Sequence, residues 1–329
     1  MRILAGDIGG TKSNFALFDR KDDILVNIYA TQLASRDFAT FSEMITRLRE
    51  QMPLEGIDAV SLGIAGPVIN QECKATNLPW SISAAELGML LGVERIHLLN
   101  DLEATAYGML YLSKEQWHDL NPAANPAAGH RAVIAAGTGL GEAMMFWDGS
   151  GFHPVGSEGG HSDFAPLTPQ QDALLSWLRK RYADHVSYER ILSGPGIAAV
   201  YDFLAETGFA SEPAAITKMS DKDDKSALIY RCAVEEHDPL CIETLRLFTQ
   251  IYGAEAGNLA LKSMSLGGVY IGGGIAPKIL SFMEEYFMET FVQKGRFSNI
   301  LKNMKVMISL NPETAVEGAA HFAFDRLKG

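Results

Sequence analysis

The segment Ile3-Leu4-Ala5-Gly6-Asp7-Ile8-Gly9-Gly10-Thr11-Lys12-Ser13-Asn14-Phe15-Ala16-Leu17-Phe18-Asp19 decides how this chain folds. The apolar start predicts a strand, the paired glycines a tight turn, and residues 13–18 a second strand that stops at Asp19-Arg20-Lys21-Asp22-Asp23. Residues 6–13 nearly match the phosphate loop G-x-x-x-x-G-K-[ST], but Thr11 stands where glycine should precede Lys12 and Ser13. That loop opens a helix, and here a strand follows, so the match is rejected. A glycine hairpin can still serve phosphate, because backbone N–H groups unobstructed by side chains approach the oxygens closely. Thr11 adds a hydroxyl, and Asp7 suits water-mediated contact with Mg²⁺. An ordinary glycine hairpin with a solvated aspartate is the competing reading of this turn taken alone.

Working outward, residues 38–48 carry apolar positions at three- and four-residue spacing and predict a helix. Apolar strands follow at residues 59–64 and 95–99, the second running into Asn100-Asp101. Strands interleaved with helices predict an α/β sheet buried on both faces. After the turn-rich stretch between Leu120 and His130, the opening pattern returns: Ala132-Val133-Ile134-Ala135-Ala136, then Gly137-Thr138-Gly139-Leu140-Gly141, then Ala143 to Asp148. This short likeness suggests two related lobes. Residues 225–264 are mostly helical in pattern, with Asp238-Pro239 suited to a helix start. A further strand at 268–271 ends in Gly272-Gly273-Gly274 and leads to a helix near Pro277, and a last amphipathic helix begins at about Thr314.

A length of 329 residues with 47% hydrophobic content exceeds the usual single-domain size and predicts two lobes with a cleft between them. The expected division is a small α/β domain of residues 1–106, completed by the helix at about 314–329, and a large α/β domain of residues 107–313. A formal net charge of -12 opposes non-specific attraction to nucleic acid or an anionic membrane. Cys73, Cys232 and Cys241 form no C-x-x-C pair and suit a reducing compartment. With no signal-like apolar region before Asp7 and no stretch long enough to span a bilayer, the expected location is the cytoplasm.

Three glycine turns, each after an apolar strand, fall where α/β proteins bind ligands. Asp101 follows a strand and precedes the helix-like residues 102–107, a position that suits either a catalytic carboxylate or a helix cap. The loop Gly156-Ser157-Glu158-Gly159-Gly160-His161 sets a carboxylate and an imidazole three residues apart, able to bind hydroxyls or merely to cap a turn. Trp80, Trp117, Trp147 and Trp177 read as packing residues rather than sugar-stacking platforms.

Asp7-Ile8-Gly9-Gly10-Thr11, Asn100-Asp101, Gly137-Thr138-Gly139-Leu140-Gly141, Glu158-Gly159-Gly160-His161, residues 189–196 and Gly272-Gly273-Gly274-Ile275-Ala276-Pro277 resemble the bacterial glucokinases, in order from Asp7 to about Gly318. The resemblance implies a two-lobed hexokinase/actin-like fold and ATP-dependent phosphorylation of glucose at its 6-hydroxyl. Gly6, Asp7, Ile8, Gly9, Gly10 and Thr11 together with Gly137, Thr138 and Gly139 would form the two phosphate hairpins, with Gly272, Gly273 and Gly274 at the adenosine. Asp101 would be the general base; Asn100, Asp101, Glu158, His161 and Glu189 would bind glucose, and Asn77 would border it. Asp7 would hold the Mg²⁺ of MgATP through water. Related sugar kinases carry a zinc-binding cysteine cluster that this sequence lacks, so no zinc site is expected. A kinase for mannose, fructose or galactose, or a non-catalytic sugar sensor of the same fold, is the alternative. The resemblance also suggests a homodimer.

Overall fold

The opening hairpin forms as its alternation predicts: β1 (Arg2–Ile8) and β2 (Lys12–Lys21) pair antiparallel, from Arg2 opposite Asp19 to Ile8 opposite Ser13. This computed structural model describes residues 1–22, 24–75, 78–220 and 223–328. The second strand outruns its expected stop at Phe18. Arg2 grips Asp19 through Nε at 2.9 Å and a terminal guanidinium nitrogen at 3.1 Å, and β3 (Ile24–Ala34) pairs alongside as far as Lys21. The turn therefore moves to Asp22, at φ 47.

On its other side β1 pairs in parallel with β4 (Ala59–Ile64), every residue of which is buried, as befits a strand covered on both faces. Short strands β5 (Val68–Ile69), β6 (Glu72–Lys74) and β7 (Ser81–Ser83) make a separate small sheet. The parallel strand β8 (Ile96–Asn100) completes the main order β3-β2-β1-β4-β8. The first helix starts at Phe41 rather than Phe38, because Thr40 caps it: its hydroxyl accepts from the Glu43 N–H at 3.2 Å, while the Glu43 carboxylate accepts from the Ala39 N–H at 2.9 Å. Phe41, Met44, Ile45 and Leu48 then face the core.

These elements belong to a compact unit of residues 1–116, 154–156 and 311–329. The unit runs past residue 106 because the helix Asp101–Gly108 is clasped by the C-terminal helix Thr314–Lys328. A methyl group on Gly108 would lie 2.0 Å from the Thr314 carbonyl oxygen, and one on Gly318 would lie 1.9 Å from that of Ala104. The Tyr107 hydroxyl donates to the Asp325 carboxylate at 2.6 Å in the same crossing.

The second unit comprises residues 117–153 and 157–310. Its sheet is built from β9 (Trp117–Asp119), β10 (Arg131–Ala136), β11 (Leu140–Trp147), β12 (Phe152–Ser157, of which residues 154–156 group with the first unit), β13 (Val269–Gly272) and β14 (Val306–Ser309), ordered β12-β11-β10-β13-β14-β9. From β12 to β14 this repeats the first unit: a hairpin whose first strand pairs in parallel with a later strand, then a second parallel strand. The likeness between residues 3–19 and 132–148 thus extends to the topology of both sheets. The longest helix, Pro239–Lys262, starts where Asp238-Pro239 predicts, with Asp238 Oδ1 accepting from the Cys241 N–H at 2.9 Å. After β13 the chain turns before helix resumes at Leu280, later than Pro277, and passes through one wide turn at Met283–Phe287. Cys73, Cys232 and Cys241 are all buried. Among the described residues no helix is long and apolar enough to cross a membrane.

Because the two glycine helices meet backbone to backbone, Gly318→Ala should force them apart. The expected cost is about 2 kcal/mol or more, read as a lowered thermal midpoint. An unchanged midpoint would contradict this packing.

Candidate active site

In the first unit, sequence-predicted residues gather at the carboxyl ends of three adjacent parallel strands. Asp7 of β1 is opposite Gly63 of β4, and Ile64 is opposite Asn100 of β8. Gly63 matters here, since a methyl group on it would lie 2.9 Å from the Ala104 Cβ and 3.5 Å from the Asp101 Cα; its absence lets the helix after β8 settle on β4. Asn100 is the helix cap, its Oδ1 accepting from the Leu102 N–H at 2.9 Å while its Nδ2 donates to the Gly66 carbonyl at 3.2 Å. Asp101 is therefore the first helical residue rather than the cap, and its Oδ1 shares the Leu102 N–H at 2.9 Å. A carboxylate there is favoured by the positive end of the helix.

The turn at Gly9-Gly10-Thr11 is braced from below. Gly9 N–H donates to the Lys12 carbonyl at 3.1 Å, the Ser35 hydroxyl donates to the Gly9 carbonyl at 2.7 Å, and the Ser35 N–H donates to the Thr11 carbonyl at 3.0 Å. Ser35 is fully buried and meets the equally buried Ser13 hydroxyl at 2.9 Å. Sequence patterns give no reason to single out Ser35, because it reaches the turn from the far end of β3. Gly6 and Ile8 stand inside the sheet: Gly6 admits Leu62 and Phe15, from which a methyl group would lie 2.8 and 3.0 Å, and Ile8 is 1% exposed. Of the run from Gly6 to Thr11, the turn residues and Asp7 thus remain the ones able to face a ligand with more than paired backbone.

Burial pushes the Asp7 carboxyl up to about 6, a hydrogen bond with Asn14 working against the rise and Glu313 adding to it. Among the described residues no group of three or more His, Cys, Asp or Glu side chains is gathered for a metal ion. One carboxylate beside a phosphate-sized glycine turn nevertheless fits Mg²⁺, which takes most of its shell from water and phosphate oxygens.

In the second unit the structure brings two glycine turns and Glu189 together. Gly137-Thr138-Gly139 closes with Gly137 N–H donating to the Gly139 carbonyl at 2.8 Å, and the Gly194 N–H donates to the Gly137 carbonyl at 2.8 Å. Glu189 Oε2 accepts from the Leu140 N–H at 3.0 Å and would lie 2.5 Å from a methyl group on Gly139. Gly273, at φ 77, meets the Ala136 backbone so closely that a methyl group would lie 2.3 Å from that carbonyl oxygen, whereas one on Gly274 would touch nothing within 4 Å. Glu158 and His161 share one exposed turn, the His161 N–H donating to the Glu158 carbonyl at 3.0 Å. That turn is tied to the Glu189 segment by the Tyr188 N–H, which donates to the Ser162 carbonyl at 3.0 Å. Asn77 lies outside the described residues.

Two hairpin-led sheets with glycine turns at the carboxyl ends of their strands, one flanked by Asn100-Asp101 and the other by Glu158, His161 and Glu189, define a hexokinase-like protein. The chain belongs to the glucokinase family. Residues 4–326 match the family described as Glucokinase. A glucokinase of Nostoc punctiforme is 38% identical over 334 residues, covering 97% of each chain. Among solved structures, a glucokinase from an Antarctic psychrotroph superposes with a TM-score of 0.81 at 31% identity, covering 98% of this chain and 99% of that one. A glucokinase from Balamuthia mandrillaris in complex with glucose shares the fold, with a TM-score of 0.82 at 21% identity over 98% of this chain and 93% of that one.

The two neighbouring glycines should behave oppositely. Gly273→Ala strains the left-handed backbone and pushes on Ala136, so it should cost about 1–3 kcal/mol and lower the thermal midpoint, while Gly274→Ala should leave the midpoint nearly unchanged. Equal effects would contradict the close approach of Gly273 to Ala136.

Proposed function

We propose that this protein transfers the terminal phosphoryl group of ATP to the 6-hydroxyl of glucose, giving glucose 6-phosphate and ADP. What carries this is the match to glucokinases along almost the whole chain, taken with an acidic residue, Asp101, at the end of β8. Asn100, Glu158, His161 and Glu189 bind the sugar hydroxyls, with Asn77 as a further neighbour assigned from sequence. Vicinal hydroxyls need matched donors and acceptors, since a buried polar group left unpaired costs about 1–3 kcal/mol.

The 6-oxygen attacks the γ-phosphorus in line as its proton passes to the Asp101 carboxylate. The bond from that phosphorus to the β–γ bridging oxygen breaks, and ADP leaves with the electron pair. The turns at Gly9-Gly10-Thr11 and Gly137-Thr138-Gly139 bind the phosphates, where developing charge is met by backbone N–H groups. Gly272, Gly273 and Gly274 border the adenosine. Asp7 would hold Mg²⁺ through water, and the bound ion would offset phosphate charge. A cytoplasmic homodimer is proposed with it, on family likeness.

Purified protein with MgATP should release ADP when glucose is added, and no release above the sugar-free control would sink the proposal. Phosphorylation of mannose, fructose and galactose should be slower by about tenfold or more, since each presents a hydroxyl pattern that leaves site groups unpaired. Asp101→Asn should keep glucose affinity while turnover falls by about 10²–10⁴. Near-normal turnover would remove Asp101 as the base.

A further inference from the structure

Two carboxylates of the second unit are buried with incomplete hydrogen-bond pairing. Glu142 of β11 is 1% exposed and Glu255 of the Pro239–Lys262 helix is 0% exposed. Each has an Oε1 with no hydrogen-bond donor among the described residues, and the Glu255 charge acts on the Glu142 carboxyl. If both were ionised they would repel at close range, each with an acceptor unmet. A single proton between them relieves both problems. Lys262 Nζ stands 3.6 Å from Glu255 Oε1, and Asn258 Nδ2 donates to Glu255 Oε2 at 2.8 Å, partners that Glu142 lacks, so a shared proton belongs on Glu142. Burial first, and Glu255 second, push the Glu142 carboxyl up to about 8, with Lys262 opposing.

The pair touches both segments assigned to the sugar. Glu142 Oε2 stands where a methyl group on Gly159, between Glu158 and His161, would come within 2.2 Å. The Glu142 carbonyl accepts from the Ser157 hydroxyl at 2.9 Å, and that hydroxyl accepts from the Gly159 N–H at 3.2 Å. On the other side, Asn258 Nδ2 also donates to the Tyr188 hydroxyl at 3.1 Å, one residue before Glu189. Lys294 Nζ donates to Asn258 Oδ1 at 2.6 Å and fixes the amide's orientation.

We propose that Glu142 and Glu255 are positioning residues that share one proton and thereby hold the turns bearing Glu158, His161 and Glu189 in their glucose-binding arrangement; this rests on the kinase function proposed above. The titratable groups around the pair are Tyr252 and Lys262 of the same helix as Glu255, Lys294, Tyr188 and Glu189 of the second turn, and Glu158 and His161 of the first. Burial pushes Tyr188 and Tyr252 above the ordinary phenol range and draws Lys294 down, so variants, rather than the profile alone, assign the titrating group.

The proton is held below about 8 and lost as pH rises through that value, so glucose affinity should weaken on the alkaline side. Calorimetric titration of glucose without ATP should show Kd rising about tenfold from roughly pH 7 to roughly pH 9. Glu142→Gln supplies the donor at every pH, so its Kd should stay near the wild-type neutral value and remain flat. Glu255→Gln removes the neighbouring charge and offers an amide donor to an ionised Glu142, so its alkaline limb should disappear as well. It carries the test alone if Glu142→Gln fails to fold. A flat wild-type profile, or a limb unchanged in the variants, overturns the positioning role. No glucose binding by wild type at any pH overturns the kinase function instead.

Discussion

The two main sheets of this protein depend on close approaches at the ends of parallel strands that only glycine allows. Gly273 sits against the Ala136 carbonyl where β10 and β13 end together, and Gly63 lets the Asp101–Gly108 helix rest on β4. Wherever a side chain would stand, the strands would have to spread and the turns they carry would lose their positions. The same requirement recurs at Gly108 and Gly318, where the C-terminal helix crosses the helix that begins at Asp101. Chemistry-bearing side chains are thus placed by positions that have no side chain.

Around those contacts, each unit braces its glycine turn differently. The first uses two buried hydroxyls, Ser13 and Ser35, and the second uses the Glu189 carboxylate on the Leu140 N–H together with Gly194. In the second unit one acidic residue therefore shapes the turn proposed to bind phosphate and is also among those proposed to bind the sugar. Coupling of this kind would make sugar binding and phosphate binding sensitive to the same carboxylate. Behind it, the Glu142–Glu255 pair adds a buried polar layer in which satisfaction of every group depends on one proton, and partly satisfied networks of this sort are costly.

Much of this was legible in the order of residues. Period-two alternation flanking Gly9-Gly10-Thr11 and Gly137-Thr138-Gly139 predicted both hairpins, and the family motifs are what the proposed roles of Asp101, Glu158, His161 and Glu189 rest on. Boundaries were less legible, because long-range contacts move them: Arg2 extends β2 past Phe18, and Thr40 shifts the first helix to Phe41. Gly6 and Ile8 look like part of a ligand turn in sequence but are consumed by sheet packing. Glu255 leaves a faint signal, an acid inside the apolar run Tyr252-Gly253-Ala254-Glu255-Ala256-Gly257 of a long helix. Nothing in the chain order pairs it with Glu142.

The sequence by itself determined the two glycine hairpins, the α/β alternation and the membership of the family, because these rest on local periodicity and on motifs that are contiguous in the chain. Tertiary structure alone decided that Asn100 rather than Asp101 caps the helix, that Ser35 supports the first turn, and that Glu189 meets the second. Those outcomes depend on which distant backbone donors and acceptors come within hydrogen-bonding distance once strands are in register, and no local pattern encodes that.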